Sequence, residues 1–145
     1  MDELSRRRLL SVAGGTSIAA LAGCLGGGTD GPTPYDGYLR GAKNFEAVTD
    51  RTDASTVTVD VGANSGFSFA PAAVRIAPGT TVVWEWTGRG GQHNVVAKDG
   101  TFESKLYLNK GETFSHAFET PGVYKYYCAP HRMRGMLGVV EVVEP

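Results

Sequence analysis

The run Tyr126-Tyr127-Cys128-Ala129-Pro130-His131-Arg132-Met133-Arg134-Gly135-Met136 holds a thiol, an imidazole three residues later and a thioether five beyond that. A loop of this length folds back so that all three side chains converge. A second imidazole must come from elsewhere in the chain. His93 is the candidate, since the Gly-rich run before it permits close backbone approach. Soft thiolate and thioether donors favour Cu(I), while imidazoles satisfy both oxidation states. One Cys, two His and a weak Met form a known blue-copper donor set. The expectation is one copper ion cycling between Cu(II) and Cu(I), with His93, Cys128, His131 and Met136 as ligands. A constrained site rearranges little when the electron moves, which keeps the barrier small. The thiol must be deprotonated to bind, so metal uptake releases a proton.

Each residue alone has a plainer reading. Cys128 alone is a buried small hydrophobe, His131 a loop histidine, Met136 a core residue and His93 a strand cap. Four such coincidences at these spacings are far less economical than one site. Zinc accepts Cys and His readily, but Met is a poor zinc ligand and three ligands would leave an open position. Copper therefore ranks above zinc. Met133 competes with Met136 for the axial place. Met136, after a Gly and before the last strand, is preferred, and Met133 is assigned to the surface beside the metal. His116, alternating with Phe114 and Phe118, is read as structural or exposed.

The elements that must position these residues read as strands. Thr56–Val61 alternates valines with polar side chains, the period of a half-buried strand. Phe67, Phe69, Val74 and Ile76 predict a second strand, bent by Pro71. Further strands are predicted at Thr81–Trp86, His93–Ala97, Thr113–Phe118, Val123–Cys128 and Gly138–Val143, with turns at Pro78-Gly79 and Pro121-Gly122. The segment Tyr35–Thr52 carries a mixed signal and is read as irregular, with room for one helical turn. Short strands separated by turn signals imply an all-β, two-sheet Greek-key sandwich.

The first residues read differently. Ser5-Arg6-Arg7-Arg8-Leu9-Leu10 opens an apolar stretch reaching about Ala22, a basic region followed by a mildly apolar one. That run is short for a spanning helix, which needs about 20 apolar residues. Consecutive arginines resemble a Tat export signal. Leu21-Ala22-Gly23-Cys24 resembles a lipobox, so Cys24 is assigned to lipidation, and the Gly- and Pro-rich run that follows reads as a flexible tether. The expected organisation is a signal segment at 1–23, a lipidated Cys and tether at 24–34, and one domain at 35–145 of about 110 residues. Each of the two cysteines thus has its own role, and no disulfide is expected.

A net charge of −1 and no dense basic face argue against a nucleic-acid partner. With three histidines in all, there is one spare imidazole, too few for a multicopper oxidase or nitrite reductase. The chain is therefore expected not to be an enzyme. No second Cys near Cys128 serves a binuclear centre. A copper-storage or delivery protein is the alternative, but such a protein would usually offer an open Met- or His-rich site.

The runs Val123–His131, Gly135-Met136 and His93-Asn94-Val95 resemble the cupredoxin family, and within it the halocyanins and plastocyanins. Weaker similarity to halocyanins covers Tyr35–Tyr38, Thr49–Thr52 and Pro78–Val82, and the leader is similar to a haloarchaeal lipoprotein's. The resemblance implies a cupredoxin-like sandwich and a type 1 copper electron shuttle held by its lipid anchor on the extracytoplasmic face of the membrane. It further implies that Asn94 ties the Cys128 loop to the His93 strand and that Tyr124 is a tyrosine corner. His131 would be the electron port, flanked by Arg132, Met133 and Arg134, with Arg89 in a nearby loop. Such a face suits acidic, membrane-associated redox partners, served by a monomer.

Overall fold

The computed structural model describes residues 34–144. The segment 1–23, Cys24 and the tether before Pro34 lie outside the described residues.

Among the described residues nine strands form two sheets: β1 (Thr49–Asp50), β2 (Thr56–Ala63), β3 (Ser68–Ala70), β4 (Ala73–Ile76), β5 (Thr80–Trp86), β6 (Val96–Ala97), β7 (Thr113–Phe118), β8 (Gly122–Tyr127) and β9 (Leu137–Val142). One sheet has the order β1-β4-β9-β8-β6 and the other β3-β2-β5-β7. The pairs β2–β5 and β4–β9 are parallel, while β5–β7 and β8–β9 are antiparallel, so the chain crosses between sheets repeatedly. This is a two-sheet Greek-key sandwich.

Alternation sets the inner faces. Val57, Val59 and Val61 of β2 and Val82, Trp84 and Trp86 of β5 are buried, and the residues between them face outward. Trp84 sits at the centre, with its ring against Phe102, Phe114 and Tyr126. Truncating such a buried Trp to Ala costs about 3–5 kcal/mol. Opposite Tyr126 in the β8–β9 register lies Gly138, where a Cβ would overlap the tyrosine ring. Only a glycine lets that ring lie flat on the next strand. Tyr124 donates its hydroxyl hydrogen to the Thr120 carbonyl at 2.7 Å, fastening the entry to β8.

Two predicted strands change by more than a residue or two at their ends. The bent strand spanning Phe67 to Ile76 is two strands, β3 and β4, belonging to different sheets. Pro71 between them has no N–H for a ladder, so pairing stops there and the chain changes layers. The strand expected at His93–Ala97 is reduced to Val96–Ala97, with His93 in an isolated bridge to Tyr107.

The irregular segment has a role of its own. A 3-10 element at Pro34–Gly41 and the residues after it cover the outer face of the β4–β9 pair. Leu39 and Ala42 pack on Ala73 and Val139, ringed by Tyr35, Tyr38, Phe45 and Leu137. Tyr35 donates to the Glu141 carboxylate (2.9 Å) and Tyr38 to the Tyr126 carbonyl (2.7 Å). Burial pushes both phenols up to about 12. Aromatic anchors, not a repeating pattern, hold this segment, which is why its sequence shows no period.

Candidate metal centre

Three donor atoms meet at one end of the sandwich. The ligand atoms of His93, Cys128 and His131 all lie within 4.8 Å of one another. The Nδ1 atoms of the two imidazoles are 3.1 Å apart, and Cys128 Sγ is 3.6 Å from that of His93 and 3.5 Å from that of His131.

His93 is placed by pairing. It exchanges both backbone hydrogen bonds with Tyr107, each at 3.0 Å. Its carbonyl also accepts the Trp86 indole N–H at 3.0 Å. The Arg89 carbonyl lies 2.6 Å from His93 Nε2. A carbonyl only accepts, so Nε2 carries the hydrogen and Nδ1 turns a free lone pair toward the thiol. Burial lowers the imidazole's pKa and keeps it neutral, although contacts with the Arg89 and Gly66 backbones oppose the shift. Glycines make room for the ring. A Cβ at Gly62 would crowd the Arg89 carbonyl and His93 Nε2, and one at Gly90 would overlap the Gly66 carbonyl.

Cys128 and His131 are placed by the loop between β8 and β9. The Cys128 N–H donates to the Met136 carbonyl (3.1 Å), and the Cys128 carbonyl accepts the His131 N–H (3.2 Å). A short 3-10 turn at Ala129–Arg134 closes on Gly135, whose φ of 87° is left-handed and suits glycine. Asn94 Oδ1 accepts the Ala129 N–H at 2.8 Å, joining the start of this loop to the residue after His93. Cys128 is a free, buried thiol. Burial raises its pKa, against the lowering effect of the Asn94 and His131 backbone N–H groups. His131 is half-buried, and its pKa is lowered by desolvation, then by His93 and Arg134.

Met136 is fully buried in the same core cluster as Cys128, whereas Met133 is 98 % exposed. The flanking arginines lie on rings. The Arg132 guanidinium is 4.3 Å from the Tyr127 ring centre and that of Arg134 is 4.3 Å from the Phe67 ring centre. Phe67 in turn meets the His131 ring edge-on at 4.8 Å. Arg89 points elsewhere, with its guanidinium bonded to the Asn64 carbonyl. His116 packs between Phe102 and Phe118, away from the three donors.

These residues fit a soft metal ion. Donor separations of 3.1–3.6 Å are each shorter than two metal–ligand bonds of about 2.0–2.3 Å. One imidazole is already locked in the tautomer that presents a lone pair. The sequence had shown the donors but not their supports: the Arg89 carbonyl, the Trp86 indole, the Tyr107 backbone and the Phe67 ring. The glycines at 62, 66 and 90 were the one available signal.

Residues 55–143 match the family of copper binding proteins, plastocyanin/azurin. The chain belongs to that family. As a plastocyanin/azurin-family protein, it is 43 % identical to a halocyanin of Natronomonas pharaonis, over 98 % of this chain and 99 % of that one. It is 39 % identical to a plastocyanin of Scenedesmus fuscus, over 59 % of this chain and 98 % of the other. Among solved structures, a mutant fern plastocyanin superposes with a TM-score of 0.53 at 25 % identity, covering 60 % of this chain and all of its own. A copper-containing nitrite reductase from Thermus scotoductus SA-01 superposes with a TM-score of 0.51 at 31 % identity. That match covers 78 % of this chain and 28 % of the reductase. The family binds copper, and His93, Cys128 and His131 form its candidate site here.

Proposed function

We propose that this protein is a type 1 blue-copper electron carrier whose single copper would be held by His93, Cys128 and His131, with Met136 as a weak fourth ligand. The observation that carries the reading is the convergence of a buried thiol and two imidazole Nδ1 atoms on one point. Bound copper would supply a one-electron Cu(II)/Cu(I) couple. The residues do the rest. Arg89 and Trp86 hold His93 still, Asn94 and the Met136 carbonyl fix the Cys128 loop, and burial excludes water from the thiol. Fixed donors rearrange little on electron transfer. His131, half-buried at the edge of the site, is the electron port. Arg132, Met133 and Arg134 beside it form a face for acidic redox partners, which they attract mainly by raising the encounter rate.

A carrier, not an enzyme, is supported by coverage. The chain matches nearly the full length of a halocyanin but only 28 % of the nitrite reductase. The leader extends the proposal: Tat-type export on residues 1–23, lipidation at Cys24, a tether through residue 34, and a domain at 35–145 working on the extracytoplasmic membrane surface between membrane-bound donor and acceptor. The deciding experiment is optical and electrochemical. Protein loaded with Cu(II) should be intensely blue and give a reversible one-electron voltammogram. A colourless Cu(II) form would overturn the proposal, and colour without a reversible couple would favour storage or delivery.

A further inference from the structure

Beside the electron port the chain forms a groove of about 810 Å³, lined among others by Lys43, Phe67, Arg132, Met133, Arg134 and Leu137. Its walls come from three segments distant in sequence: the residues after the Pro34–Gly41 element, Ser65 and Phe67 before β3, and the loop that carries His131. The first and last of these touch at Gly135, where a Cβ would overlap the Gly41 carbonyl, so the groove depends on that glycine.

Among the described residues, three cations and no carboxylate line this groove. None of Lys43, Arg132 and Arg134 is ion-paired among the described residues. Arg132 and Arg134 are instead laid on the Tyr127 and Phe67 rings. Stacking uses the face of a guanidinium and leaves its N–H edge free, which is the edge that binds a carboxylate bidentately. The groove is also apolar in part, with Phe67, Leu137 and the exposed Met133 among its walls. A concave, mixed surface of this kind fits a chain segment better than a flat lipid surface.

From this arrangement we infer that the groove is the docking site for an extended acidic segment of the electron-transfer partner, whose carboxylates pair with Lys43, Arg132 and Arg134 and whose apolar side chains meet Phe67 and Met133. The inference rests on the carrier reading and adds to it a wall, Lys43, that the metal loop does not contain. Phe67 lies against His131, so a segment seated here is one ring away from the electron port.

The test uses full-length Cu(I) protein and a fluorescein-labelled peptide of four Glu-Leu repeats, with a Lys-Leu peptide as control. At low ionic strength the Glu-Leu peptide should bind, raise fluorescence anisotropy and shift the amide resonances of residues 41–43, 65–68 and 132–135. Salt should weaken this binding. Lys43→Glu and Ser65→Asp, both outside the metal site, should each weaken it about fivefold while the Cu(II) spectrum stays unchanged. Unchanged affinity in both variants with intact colour would overturn the groove and leave the carrier reading standing. Equal binding of the Lys-Leu peptide, or shifts confined to another face, would overturn it too. Vesicles of anionic phosphatidylglycerol that bind through Lys43 more tightly than the peptide would assign the groove to lipid instead. Absence of blue colour in the unmodified protein would count against the carrier reading alone.

Discussion

His93 and His131 offer the same atom to the same point, yet they are held in opposite ways. His93 is fully buried, its backbone is paired on both sides to Tyr107, and its carbonyl and far ring nitrogen are both engaged. His131 sits half-buried in a six-residue 3-10 element, and its ring is bounded by Phe67 and the site itself. One half of the site is built by strand pairing and packed glycine backbones, the other by the closure of a single loop. The difference separates two tasks. The inner half preserves geometry, and the outer half reaches the surface.

That contrast can be broken in stages. Cys128→Ser has the largest expected effect, because the thiol belongs to both halves: the blue colour of the copper-loaded protein should vanish. Gly90→Ala strikes the inner half, by driving a methyl into the Gly66 carbonyl at a residue with φ of 81°. It should destabilise the fold by about 3 kcal/mol in urea denaturation. Gly91→Ala, with nothing near its Cβ, should cost only the smaller backbone strain. Equal losses in the two variants would show that the floor under His93 is not tightly built.

Protonation sharpens the comparison in the copper-free protein. Both imidazoles have folded pKa values below the ordinary 6.5, so the unfolded chain binds protons first. Stability is therefore complete above about 6.5 and is lost as the pH falls through the folded values. His93, the more buried ring, should contribute more. Urea midpoints at pH 7 and pH 5 should differ, and His93→Gln should reduce that difference more than His131→Gln. Next in size, Met136→Gln should retain copper and lower the reduction potential measured by voltammetry, whereas Met133→Gln should leave it unchanged. The reverse pattern would exchange their assignments. Trp86→Phe removes one hydrogen bond to His93 and should cost about 1 kcal/mol of stability with little change in colour.

Local features of the chain were legible without the fold. Cys128, His131 and Met136 share one loop, so their spacing alone nearly confines them together. The alternation in Thr56–Val61 and Thr81–Trp86 marks the inner faces because a pleated strand turns every second side chain the same way. The break between β3 and β4 was harder. A period of two says that a residue is buried but not against which sheet, and Pro71 looked like a bend when it marked a change of layer.

Sequence by itself determined the donor types and the all-β class. Chemistry and local period suffice for these. Tertiary structure decided what brings His93 to Cys128 across 35 positions and which tautomer His93 adopts. It also seated Phe67 against His131 and laid Lys43 along the same groove. Each of these depends on backbones meeting from distant segments, Gly66 with Gly90 and Gly41 with Gly135, and such contacts leave no periodic trace in the chain.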